Sequence, residues 1–454
     1  MIAPSMLCAA MVALALTSGG VAVPAVPALI HGGAEHTAPR AGPLDSLTIM
    51  YEVGGLKVIH RPVGATDVVA VNLYLLGGVR QVSPAIAGAE PFLLYASEYG
   101  TRRYPGDAAR LALAHTGSWI TVQATPDYTR LSFRGIKQEF DSTWAVFTDR
   151  VMHPALDSAA MAITRGQLMR SARAANESPN SQAARAADSL AFESHPYAIP
   201  PLGSEASIAS LTAADLTKYA AEQMMTSRML LVVVGDISRE RVEKAVSSTL
   251  GTLPRGNFTW TLPELWPAKA PRVAAVQRRI PTNYIFGYFS GPLQSSSDFP
   301  AFRIATGYLG GVLEDVIRSE GLSYAAGATT FEYGATGGGI YVSTVRPDTV
   351  VKIIKAAIDY IQEAPLPRSA LVKHSQRYVN SYYYQTESNA EQAEVLAMAY
   401  LYRGDFHAAA EYGDVLRKVT GSDVRKVARQ YIRNIQFGYV GDTTKAPLKL
   451  MLKP

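Results

Sequence analysis

The sequence predicts an α+β protein made of two homologous α/β domains, each a mostly antiparallel sheet with helices packed on one face. Three observations carry this expectation. The first is a repeated ending. Leu211-Thr212-Ala213-Ala214-Asp215 opens a helix with Thr212 at the N-cap, an apolar strand follows over 229–234, and Gly235-Asp236 closes it. Val419-Thr420-Gly421-Ser422-Asp423, a strand over 437–440 and Gly441-Asp442 repeat that order, with the two Gly-Asp pairs 206 residues apart. Self-similarity over such a distance marks duplicated units. The second is that strand-like and helix-like segments mix within each half, as in α+β proteins. The third is the stretch 253–272, rich in Pro and Trp with few periodic positions, which reads as a linker between the halves.

Length and composition agree. A chain of 454 residues, 48% apolar and 18% charged, holds ample material for two cores. The net charge of +5 is spread thinly, with no run of five like charges and no Lys/Arg cluster interleaved with aromatics. A phosphate-tracking surface needs clustered cations, so nucleic acid is set aside as a partner.

Taken in order, the chain divides as follows. The first 39 residues lack Lys and Arg, and Met6 to Leu16 form an apolar run too short to span a bilayer. With Val26-Pro27-Ala28 as a small-residue cleavage site, residues 1–28 read as a secretory signal peptide. This places the protein in the periplasm or outside the cell. Residues 29–46 read as a disordered leader. The N-terminal domain, 47–252, opens with a hairpin, 47–51 and 56–61 around Gly54-Gly55, and a strand over 68–76. The C-terminal domain, 273–448, opens with strands over 272–275 and 283–290. Gly337-Gly338-Gly339 precedes a strand rather than a helix, so it reads as a turn or a closely approached edge, not a phosphate cradle. The single cysteine, Cys8, falls in the signal, so the mature chain has no disulfide and no thiolate chemistry.

The chemistry concentrates in two segments. Ala87-Gly88-Ala89-Glu90-Pro91-Phe92-Leu93-Leu94-Tyr95 is followed by Gly100-Thr101. This resembles, without a gap, the Ala-Gly-x-x-His-x-x-Glu-His and Gly-Thr segment of the pitrilysin/insulinase and mitochondrial-processing-peptidase family of zinc metallopeptidases, the inverzincins. In that family two histidines four apart on one helical face reach one zinc, and the Glu between them is the general base. Here those positions hold Pro91, Leu94 and Tyr95, none of which serves: Pro and Leu have no ligand atom, and Tyr would bind only as a phenolate. The resemblance places the third ligand, a Glu, on the helix over 165–176, where Arg170 or Ser171 stands instead. His195-Pro196-Tyr197 and Gly203 also resemble family landmarks, with His195 as a turn element. The histidines His60, His115, His153, His195, His374 and His407 are scattered without ligand spacing.

The second segment is Tyr308-Leu309-Gly310-Gly311 through Arg318-Ser319-Glu320-Gly321-Leu322-Ser323-Tyr324. It resembles the family segment in which an Arg at a helix end and a Tyr on the next strand hold the substrate backbone opposite the zinc. The Arg318 to Tyr324 spacing is one residue shorter here. A guanidinium and a phenol can hydrogen-bond peptide carbonyls or a carboxylate.

The resemblance implies a chain with no catalytic residue and no metal of its own. It reads as the non-catalytic subunit of a bacterial heterodimeric periplasmic zinc peptidase: zinc sits in a homologous partner subunit, and Arg318 and Tyr324 help grip peptide substrates. The alternative is a catalytically dead peptide-binding or scaffold protein without a peptidase partner.

Overall fold

The computed structural model describes residues 47–453. The segments expected to be a signal peptide and a leader, with Cys8, lie outside the described residues.

Two sheets form the frame. The first holds β1 (Ile49–Val53), β2 (Leu56–Pro62), β3 (Val68–Leu76), β4 (Trp119–Ala124), β5 (Tyr128–Ile136) and β6 (Met229–Gly235), in the order β1-β2-β6-β3-β5-β4. The second holds β7 (Arg272–Gln277), β8 (Asn283–Ser290), β9 (Ala326–Phe331), β10 (Gly337–Thr344) and β11 (Gln436–Gly441), in the order β7-β11-β8-β10-β9. Each contains one parallel pair, β2 with β6 and β7 with β11; the other pairs are antiparallel. Without β1, the two sheets have one topology, which is the duplication expected from the repeated ending.

The helices repeat as well. The first half carries α1 (Ala89–Ala96), α2 (Ala108–His115), α3 (Phe140–Met152), α4 (Ser158–Glu177), α5 (Pro179–Ala191), α6 (Glu205–Ser210), α7 (Ala213–Gln223) and α8 (Arg239–Ser247). The second carries α9 (Phe299–Ser319), α10 (Pro347–Glu363), α11 (Arg368–Tyr384), α12 (Asn389–Arg403), α13 (Ala408–Arg417), α14 (Gly421–Tyr431) and α15 (Leu448–Met451). Thr212 and Thr420 both build full capping boxes, with Asp215 and Asp423 returning the bond to the N-cap backbone. Each helix runs into the last strand of its sheet.

Within each domain the domain's own helices cover one sheet face, as expected. In the first, Val58, Val71, Leu73, Leu131 and Val233 pack against Phe92, Leu93, Trp144 and Phe147. The opposite face is covered by a helix of the other domain. Ile59, Tyr74, Leu230, Val232 and Val234 pack against Ala393, Leu396 and Ala397 of α12. Reciprocally, Phe286, Tyr288 and Val440 of the second sheet pack against Ala183, Ala184 and Ala187 of α5. The approach is close: a Cβ on Gly438 of β11 would lie 1.9 Å from the Ala183 carbonyl oxygen. Burial on both faces explains why β6 reads as an unbroken apolar run, Met-Leu-Leu-Val-Val-Val.

The triple glycine differs from its expected reading. Gly337, Gly338 and Gly339 lie inside β10, an inner strand, and not in a turn or at an edge. A Cβ would meet the Phe331 ring at 2.3 Å from Gly337 and the Phe289 ring at 2.2 Å from Gly338. The glycines therefore make room for two aromatic rings. The stretch from Leu253 to Pro271 has no strand or helix, yet Phe258, Trp260 and Leu262 pack beside α12, and Trp266 is buried.

Candidate functional site

The motif helix α1 is anchored from below by a buried ion pair. Arg228 Nη1 lies 2.6 Å from Glu90 Oε2, with both side chains almost fully buried. The Tyr219 hydroxyl donates to the same carboxylate oxygen at 3.0 Å, and Arg228 Nε donates to the Leu76 carbonyl at 2.6 Å. One cluster thus ties α1 to α7 and to the end of β3. A second buried guanidinium, Arg150 of α3, donates through Nη2 to the Leu94 carbonyl and through Nε to Ser97 Oγ, both at 3.0 Å. It caps the C-terminal end of α1.

On this helix the metal-motif positions face apolar or already bonded surroundings. Pro91 and Leu94 are buried. The Tyr95 hydroxyl donates to the Val122 carbonyl of edge strand β4 at 3.2 Å. Burial, with Glu98 adding to it, pushes the Tyr95 phenol above its ordinary value, so it stays protonated and is no anionic ligand. On α4, Arg170 is exposed and Ser171 half-buried. Arg165 of the same helix lies over the Phe92 ring, 5.4 Å from its centroid, and donates to the Leu211 carbonyl at 2.6 Å. The donor set does not fit zinc, and among the described residues no group of three His, Cys, Asp or Glu is placed to hold a metal.

Four of the six scattered histidines have local polar partners. His60 is buried with Nε2 at 3.0 Å from the Ile237 carbonyl, and His153 and His407 pair with Asp149 and Asp405. His195 is a turn element, as expected: Nδ1 accepts from the Tyr197 amide at 3.2 Å and Nε2 donates to the Glu264 carbonyl at 2.9 Å.

Sequence reasoning missed the node that Tyr197 serves. Asp127, fully buried in the β4–β5 turn, accepts from the Tyr197 hydroxyl at 2.7 Å, the Tyr402 hydroxyl at 2.9 Å and the Gly334 amide at 2.7 Å. Burial and the Asp127 charge hold both phenols well above their ordinary value, so they remain donors. Arg80 stands 3.9 Å from Asp127, donates to the Thr261 carbonyl at 2.7 Å, and stacks over Trp260. Asp127 thereby joins the first sheet, the His-Pro-Tyr segment, the linker and two elements of the second domain.

Arg318 and Tyr324 belong to the second domain. Arg318 is in the last turn of α9, more than half exposed, with Glu314 one turn back at 3.9 Å. An exposed pair of that length contributes little. The resemblance implied a Tyr on the following strand. Instead Tyr324 lies in the turn two residues before β9, and it is 97% exposed. No hydrogen bond joins the two among the described residues. Neither is committed to the core.

Comparison with known proteins sets this geometry in a family. A model described as insulinase, peptidase family M16, matches residues 58–205, and one described as the peptidase M16 inactive domain matches residues 210–377. Together they cover well over half of the chain. The chain belongs to the M16 peptidase family. The mitochondrial-processing peptidase subunit beta of Blastocladiella emersonii is 21% identical over 400 residues, which are 83% of this chain and 84% of that protein. A probable mitochondrial-processing peptidase subunit beta of Schizosaccharomyces pombe is 24% identical over 194 residues, spanning 43% of this chain and 42% of that relative. Among solved structures, a protease from Helicobacter pylori superposes with TM-score 0.79 at 17% identity, covering 87% of this chain and 99% of the other. The peptidase M16 inactive domain from Pseudomonas fluorescens superposes with TM-score 0.76, also at 17% identity, covering 87% and 98%. These structural likenesses speak for the fold. With Pro91, Leu94 and Tyr95 at the motif positions, this is a non-catalytic M16 chain. Among the described residues no helix is long and apolar enough to cross a membrane.

Proposed function

We propose that this M16 chain is the non-catalytic subunit of an exported heterodimeric zinc metallopeptidase, and that it grips the main chain of peptide substrates in a chamber shared with a zinc-bearing homologue. The observation that carries the reading is the contrast between its two halves. The metal-motif helix is retained and held by two buried arginines, yet presents no ligand, whereas Arg318 and the almost fully exposed Tyr324 are free to meet a peptide. Zinc belongs to the partner in this reading, and the periplasm or the extracellular space is the place of action.

Two measurements test it. After dialysis the purified chain should hold no stoichiometric zinc and cleave no peptide; mixed with a zinc-bearing homologue encoded beside it, it should form one complex with raised peptidase activity. A homologue that is fully active alone, with no complex on mixing, would sink the reading.

Within the intact complex, Arg318→Ala should remove charge-assisted hydrogen bonds worth about 1.5–3 kcal/mol, and Tyr324→Phe one neutral bond of about 0.5–1.5 kcal/mol. At about 1.4 kcal/mol per decade, kcat/KM should fall roughly 10–100-fold and up to about 10-fold, respectively. Bonds that strengthen in the transition state place the loss on kcat, and uniform binding places it on KM. Unchanged rates for both variants in intact complexes would leave these residues as ordinary surface positions.

A further inference from the structure

Helix α11 is an unusual surface element. Its 17 residues carry Arg368, Lys373 and Arg377 and no carboxylate. Its inner face, Ser375 and Val379, is buried, while the outer face lines an open groove of about 740 Å³ running from Val372 to Tyr384. Val372 is 58% exposed and Tyr384 67%. No ion pair engages Lys373 or Arg377 among the described residues. The one carboxylate in the lining, Glu391 at the start of α12, accepts from the Ser388 hydroxyl at 2.7 Å and keeps its negative charge.

We infer that this groove is a docking site for an acidic protein segment with apolar anchors. Three features of the groove define that occupant. Lys373 and Arg377 outnumber Glu391 in the lining, so the groove is net positive and its complement is a carboxylate-bearing partner. Two exposed apolar side chains sit at opposite ends of the groove, and tyrosine and arginine are the side chains that most often dominate binding at protein interfaces. Between the ends, Gln385 and the remaining donors and acceptors of Gln376 and Asn380, which bond each other at 2.7 Å, can pair with a peptide backbone. The twelve helical steps from Val372 to Tyr384 rise about 18 Å, the reach of five to six residues of extended chain. An anionic membrane fits less well, because lipid-binding basic segments cluster about four to eight cations on an open surface, whereas this groove holds two. The inference is independent of the peptidase reading: it uses neither Arg318, Tyr324 nor the motif helix.

The test uses the purified chain and a fluorescein-labelled peptide of twelve residues, glutamate and leucine in equal number, read by fluorescence anisotropy. The expected result is saturable binding that weakens as salt rises. Lys373→Glu with Arg377→Glu should weaken it at least about 30-fold, and Tyr384→Ala about 5-fold or more. All three residues are exposed, so unchanged melting temperatures should accompany the losses. Equal binding of a lysine–leucine peptide, or equal binding by the charge-reversed variant, overturns the proposal. So does absence of peptide binding together with Lys373- and Arg377-dependent binding to vesicles containing phosphatidylserine, which would make the surface a lipid site.

Discussion

Glu90→Ala is expected to cost about 3–5 kcal/mol of folding stability, because it strands a guanidinium inside the protein. Arg228 is fully buried, and among the described residues Glu90 is its only carboxylate partner, at 2.6 Å. The bond from Arg228 Nε to the Leu76 carbonyl remains, but a neutral acceptor does not neutralise the charge. Tyr219 loses its acceptor in the same substitution. Glu90→Gln should lose less, since its amide oxygen still accepts from Tyr219 or Arg228. Combining Glu90→Leu with Arg228→Met should recover much of the loss, because replacing both members of a buried pair by apolar groups is often close to neutral. Recovery stays partial: the Leu76 and Gln223 carbonyls lose their donor. Urea unfolding measures each variant, as a lower midpoint at constant slope. A loss under about 1 kcal/mol for Glu90→Ala would mean that water reaches Arg228.

Asp127→Ala should be comparably damaging, at least about 3 kcal/mol, and its damage should be located between the domains. It leaves two buried phenols and one buried amide without an acceptor, each costing about 1–3 kcal/mol. Asp127→Asn should fall between wild type and alanine. One amide oxygen can replace one carboxylate oxygen, but the NH₂ group then faces a donor at the other. Beyond the stability loss, faster proteolytic cleavage within 253–271 is expected, since Arg80 and the Trp260 segment lean on the same carboxylate. A destabilised variant whose linker is cut no faster would place the damage in one domain alone.

Local signals were the legible ones. The capping boxes at Thr212 and Thr420 and the terminal strands each occupy a few neighbouring residues, so the repeat could be read along the chain. The motif helix was placed by the family resemblance, and the residues at its motif positions showed the missing donors. Long-range chemistry was not legible. Asp127 meets partners 70, 207 and 275 residues away, and nothing beside it in the sequence names them. Glu90 gave a faint sign, as a carboxylate within an apolar helix, and Arg228 another, directly ahead of an apolar strand. Pairing them required the fold. Gly337 and Gly338 were misread because the reason for their smallness, two phenylalanine rings on neighbouring strands, is tertiary. Tyr324 could be assigned by resemblance, but its near-complete exposure could not.

The crossed helices α5 and α12 have a consequence for what counts as a folding unit. Each half of the chain supplies the cover for the other half's sheet, so neither half is a finished globule. Severing the peptide bond anywhere in 253–271 should leave two fragments that stay associated as a tight noncovalent pair, and either fragment made alone should expose a broad apolar sheet face and aggregate. The same geometry constrains origin. A single copy of half this length would need a twin to lend it the covering helix, as the subunits of a swapped dimer do.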